Sequence, residues 1–141
     1  TYAIAVISML LGLVEMTDSI INSLQQKTSE LDGYWLSSGP LAESNGLVTK
    51  VNEATGLLPL FAESISSVKE GALLGVVSEP ASIGKSAARK AKLILEKKSA
   101  RDIPVDKMDT YTVAVNVSTA IKLQLPIPSN YLKLSKKHVY Q

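Results

Sequence analysis

Seven short polar side chains stand where an α/β chain would do its chemistry: Ser8, Ser37, Ser38, Glu63, Ser64, Ser78 and Glu79. Each follows an apolar run that reads as a strand, and in parallel α/β sheets ligands sit beyond the carboxyl ends of the strands. Hydroxyls and free backbone N–H groups at such ends suit a carboxylate or an amide. Glu63 or Glu79 would pair with an ammonium group. The competing use of these serines is ordinary helix N-capping. Other chemistries lack their residues. The chain has no cysteine, which excludes disulfides, thiolate catalysis and cysteine-based zinc sites. Its one histidine, His138, excludes any site needing two imidazoles. The string PASIGKSA ends like a phosphate-binding loop, but Glu79 stands where the pattern GxxxxGKS requires glycine. Asp102, Asp106 and Asp109 are spaced like a calcium loop without its glycine or closing glutamate. No catalytic residue, cofactor or metal is therefore expected, and the chain is not expected to be an enzyme.

The elements that would position the seven alternate strand with helix, which points to an α/β fold with a mostly parallel sheet. Strands are expected at Tyr2–Ile7, Gly33–Ser37, Leu58–Ala62, Leu73–Val77 and Tyr111–Val117, the last on a strong two-residue alternation. Tyr34 and Trp35 are adjacent in a strand, so one must face a core, and Trp35 is expected to serve structure rather than stacking on a ligand. Helices are expected at Val14–Gln26, Leu41–Ala54 with a break near Gly46, Ser66–Glu70, Ser82–Lys98 and Ser118–Leu123. Gly56 and Gly71 are placed to end two of them. In the longest helix Ile83, Ala87, Ala91, Ile94 and Leu95 are expected to face inward. Residues 1–128 are taken as one lobe, and 129–141 as a basic tail, weakly ordered unless Tyr131 and Leu132 dock.

The chain has 141 residues, 45% hydrophobic and 20% charged, a folded composition of single-domain size. Its formal net charge of +2 does not suggest a nucleic-acid binder. The charge is unevenly spread. Residues 1–70 hold three lysines against eight acids, net −5, and residues 71–141 hold twelve basic residues against five acids, net +7. Lys85, Arg89 and Lys92 share one helical face, which reads as a solvated surface or as a contact for an anionic partner. The apolar run Tyr2–Val14 spans thirteen residues, short of the roughly 20 of a membrane helix. No basic residue precedes it as in a secretory signal.

Five blocks in the second half, in order and with matching spacing, resemble the bacterial ABC-transporter substrate-binding family that includes tryptophan- and other amino-acid-binding lipoproteins. They are LPLFAES (58–64), VKEGALLGVV (68–77), IGKSAARKAKLIL (83–95), DIPV (102–105) and VNVSTAIKLQLPIP (115–128). DGYWLSS (32–38) extends the likeness upstream. Two departures stand out. Ser38–Gly39 replaces the family's aspartate after the second strand, and Leu123–Gln124 replaces its Leu-Gly, which implies a divergent member. The resemblance implies the type I periplasmic-binding-protein fold, of which this length would supply one lobe, the C-terminal one, with the segments that cross between lobes. It implies an extracytoplasmic solute-binding domain of an ABC-type uptake system that captures a small organic molecule, an amino acid or related carboxylate, without catalysis. The partners implied are that ligand and a transporter permease, with no nucleic acid. The location implied is periplasmic or extracellular and membrane-anchored, with the signal or anchor outside this sequence. Two other outputs fit the same residues: a ligand-sensing domain of a membrane signalling protein, or a degenerate lobe that dimerises. The apolar Tyr2–Val14 run and the missing second lobe point to a homodimer.

Overall fold

The computed structural model describes the backbone of residues 4–7, and residues 17–40, 42–107, 110–135 and 138–141. The chain divides into two compact units, one of residues 1–76 and 113–141, the other of residues 77–112.

In the first unit strands and helices alternate as β1 (Ile4–Ile7), α1 (Thr17–Lys27), β2 (Gly33–Leu36), α2 (Leu47–Ala54), β3 (Leu60–Ala62), α3 (Ile65–Glu70) and β4 (Leu74–Ser78). After the second unit come β5 (Tyr111–Asn116), α5 (Val117–Lys122), α6 (Ser129–Ser135) and β6 (Val139–Tyr140). The strands form one sheet in chain order, β1-β2-β3-β4-β5-β6. The β1–β2, β2–β3, β3–β4 and β5–β6 pairs are parallel. Asn116 N donates to Leu73 O at 3.0 Å, so the end of β5 meets the start of β4 and these neighbours run in opposite directions. The expected mostly parallel α/β sheet flanked by helices is what the chain forms.

Three crossovers that all step the same way across a parallel sheet put their helices on one face, because each crossover is right-handed. One core results. Tyr34 and Leu36 of β2, Leu60 and Ala62 of β3 and Ala114 of β5 pack with Leu47, Val48 and Val51 of α2 and Val68 of α3, while Ile20, Ile21 and Leu24 of α1 close its rim. Tyr34 is thus the strand aromatic that faces the core, fully buried, with its hydroxyl 3.3 Å from Thr28 Oγ1. Trp35 turns to the opposite face and stacks on Phe61, its register partner, at 6.4 Å between ring centroids.

Local chemistry sets the boundaries. Gly33 is required where β2 approaches Pro59, since a Cβ there would lie 2.8 Å from the Pro59 carbonyl oxygen. The break before α2 consumes residues 42–46, so that helix starts at Leu47 rather than Leu41. Residues 129–135 and 138–141 are not a loose tail: α6 ends on the buried Ser135, and β6 adds an edge strand whose Tyr140 packs against the core.

The second unit holds α4 (Pro80–Leu95), a turn at Ala100–Asp102 and an extended return. Here the expectation of an inward apolar stripe fails. Ile83, Ile94 and Leu95 are 46%, 51% and 83% exposed, and Ser86 is the buried residue of α4. A stripe at helical spacing shows which residues share a face, not that a second layer covers it. The unit is tied by Ser86 to Asp106, by Lys90 to the Pro104 carbonyl, and by a 3.2 Å ion pair from Lys90 to Asp106. Among the described residues no helix is long and apolar enough to cross a membrane.

Candidate functional site

The carboxyl ends of β2 and β3 bring Trp35, Ser38 and Glu63 together. The Trp35 indole Nε1 donates to Glu63 Oε1 at 3.0 Å, and the Ser38 backbone N–H and hydroxyl donate to Glu63 Oε2 at 3.0 and 3.1 Å. Parallel pairing explains the meeting. Leu36 and Ala62 are register partners and Glu63 N donates to Leu36 O, so the residues just past both strands leave the sheet side by side. The Ser38 backbone N–H, followed by the Trp35 and Ser38 side chains, holds the Glu63 carboxyl below its ordinary 4.5 against the opposing cost of burial. Glu63 therefore stays ionised and pins the chain after β2 to the sheet edge. A carboxylate has about four lone-pair directions, and donors among the described residues take three of them. A fixed negative charge at this edge favours the ammonium end of a ligand and repels a carboxylate.

The other candidates serve differently. Ser64 is the N-cap of α3: its Oγ accepts from Ser67 N at 3.1 Å and bonds Ser66 Oγ and Ser67 Oγ at 2.9 and 2.8 Å. Ser67 in turn donates to Ala42 O at 3.2 Å, which ties the loop before α2 to α3. Ser37 is half-buried directly after β2. Ser78 closes β4 and Glu79 precedes α4, both in the second unit. Glu79 Oε2 there accepts from Ser82 Oγ at 3.1 Å, a local cap. Ser8 lies outside the described residues.

Reading the residues one by one missed the Trp35–Glu63 bond. Trp35 and Phe61 share a side of the sheet once β2 and β3 pair in parallel, and Glu63 lies two residues past Phe61 on that same side. Register would have revealed the contact, and no register is written in the order of residues alone. An apolar hollow of about 320 Å³ lies between Phe61, Leu74 and Val115 of the strands and Leu125, Ile127 and Tyr131. Among the described residues no group of three or more acidic, histidine or cysteine side chains could hold a metal ion.

A second polar cluster ties the sheet to its following helices. Asn116 caps α5, accepting from Thr119 N at 2.9 Å, and its Nδ2 donates to Val68 O at 2.9 Å. Thr119 Oγ1 donates to Gly71 O at 2.9 Å, and Asn52 Nδ2 reaches the same carbonyl at 3.3 Å. Apart from Asn52 of α2, these residues come from the blocks VKEGALLGVV and VNVSTAIKLQLPIP, so two of the recognisable segments encode most of one junction. The model of the ABC transporter substrate binding protein family matches residues 6–139. The chain belongs to this family.

Among solved structures, a conserved domain protein from Vibrio cholerae superposes with a TM-score of 0.69 at 19% identity. The match covers 89% of this chain and 42% of that one. An ABC domain in complex with L-Trp from Streptococcus pneumonia gives 0.67 at 21% identity, over 89% of this chain and 43% of that one. The ligand-free, open form of a substrate binding protein with adhesive properties from Clostridium difficile gives 0.60 at 21%, over 88% and 40%. These likenesses show a shared fold. The chain spans about two-fifths of the length of each of these structures. No curated protein matches it.

Proposed function

We propose that this chain is the ligand-holding part of an extracytoplasmic solute-binding protein that serves an ABC-type uptake system, works without catalysis and is anchored to the membrane. The observation that supports this reading is the ionised Glu63, held by Trp35 and Ser38 at the carboxyl edge of a parallel sheet in a chain of the substrate-binding family. The solute is a small organic molecule, an amino acid or close relative. Its ammonium group sits at Glu63, and its carboxylate is received within the first unit by hydroxyl and backbone N–H donors at the carboxyl ends of the strands. The L-Trp held by the Streptococcus pneumonia domain makes tryptophan the first solute to try. The permease of the uptake system is the partner that receives the solute.

A thermal-shift screen tests this with amino acids and their desamino carboxylates, tryptophan against indole-3-propionate among them. Binding raises the melting temperature by mass action. The expected result is a saturable rise with one or more amino acids, absent with the desamino partner and abolished in Glu63→Gln. A panel in which no solute shifts the melting temperature overturns the proposal. The exposed Ile83, Ile94 and Leu95 favour a second copy as a further partner. Sedimentation at micromolar concentration is expected to show a homodimer, and a monomer alone would remove that partner.

A further inference from the structure

Within the second unit, α4 and the return segment enclose an open groove of about 970 Å³. Lys85, Arg89 and Lys92 line one wall and Lys107 another. The three helical cations recur at spacings of four and three residues, so they stack along one face over about 10 Å. Among the described residues Lys85, Arg89 and Lys107 form no ion pair. Lys92 has only an exposed contact with Glu96 at 3.8 Å, of the kind that contributes little. The acid in the groove wall, Asp106, is engaged by Ser86 and Lys90. Arg89 also feels the Asp106 charge, but among the described lining residues four cations face this one acid, so the concavity keeps a net positive charge.

We propose that this groove docks an acidic protein segment, one that presents three or four carboxylates along a helix or extended strand. Its length decides against a single small anion, because one phosphate cannot touch cations spread over about 10 Å. Its lining decides against single-stranded nucleic acid, because no aromatic ring faces the groove to stack a base. Arg89 supplies a planar fork for a two-point contact with a carboxylate, and the lysines on either side extend the track. This inference is independent of the solute site, since it rests on residues of the second unit alone.

Fluorescence anisotropy tests it with a labelled helical peptide bearing four glutamates at four-residue spacing. A glutamine version and inorganic polyphosphate serve as comparison probes. The glutamate peptide is expected to bind saturably, and raising the salt from about 50 to about 300 mM to weaken it. The double variant Lys85→Glu/Arg89→Glu is expected to weaken binding by about tenfold or more. Lys97→Glu/Lys98→Glu makes the same change in net charge outside the groove and is expected to weaken it by less than about twofold. Lys85→Gln/Arg89→Gln is expected to fall between them, and all four positions are exposed, so the fold is retained. Equal weakening by the two reversals, equal binding of the glutamine peptide, or no saturable binding overturns the proposal. Tighter groove-dependent binding of polyphosphate than of the glutamate peptide also overturns it and reassigns the groove to a phosphate polymer.

Discussion

Glu63 serves structure and recognition with one carboxylate. It accepts from Trp35 and from both donors of Ser38, and those bonds favour its ionised form. A carboxyl held below 4.5 in the folded state stabilises the fold above that pH. The contribution fades as the pH falls from 4.5 through the lower folded value. Urea unfolding between about pH 7 and about pH 3 should therefore show wild type more stable than Glu63→Gln at neutral pH, with the gap closing in acid. A gap that stays constant with pH would exclude this role. Asn116 is the structural counterpart. Its side chain satisfies the Val68 carbonyl and the Thr119 N–H, both where water is excluded. Asn116→Ala strands the Thr119 N–H and leaves the Val68 carbonyl with only the 3.3 Å bond from Gly71 N, and should cost about 2 kcal/mol in denaturant unfolding. A loss under about 1 kcal/mol would mean that water or neighbours replace the amide.

Helix ends carry the lesson at the next scale. α4 and α5 each finish with the residue two beyond the last helical one in a left-handed conformation, Lys97 at φ 65° and Gln124 at φ 56°. The backbone bonds Lys98 N to Leu93 O and Leu125 N to Ala120 O, at 3.0 Å each, close the same six-residue turn at both ends. α2 ends in this way too, but with Gly56, where positive φ carries no Cβ penalty. The glycine that Gln124 replaces in the resembling sequences thus has a physical purpose. Gln124→Gly should stabilise the protein by about 0.5–1 kcal/mol, as relief of the left-handed strain outweighs the added freedom of the unfolded chain. A thermal melt reads it as a rise in melting temperature, and a fall would show that the Gln124 side chain makes contacts worth more than the strain.

Over the whole molecule, the two units differ in what they bury. The first places α1, α2 and α3 over one face of the sheet around a shared core, whereas α4 in the second buries only Ser86. Local opening follows buried contact, so hydrogen exchange should release the amides of α4 well before those of β2, β3 and α2. Equal protection of α4 and the β2–β3 ladder would show a single cooperative unit instead.

Residue order alone determined the alternation of strand and helix, nearly all element positions, and the family, because periodicity, glycine placement and motif blocks are local properties. Gly56 and Gly71 were legible as helix ends for that reason, and Ser38 and Glu63 as strand-end residues. Tertiary structure decided which of Tyr34 and Trp35 enters the core, since a two-residue alternation has a period but no stated phase. It decided that Glu63 answers to Trp35 and Ser38, a meeting set by the register between β2 and β3. It also decided that the stripe on α4 stays exposed and that Val139 and Tyr140 join the sheet, because burial depends on which partners arrive from elsewhere in the chain.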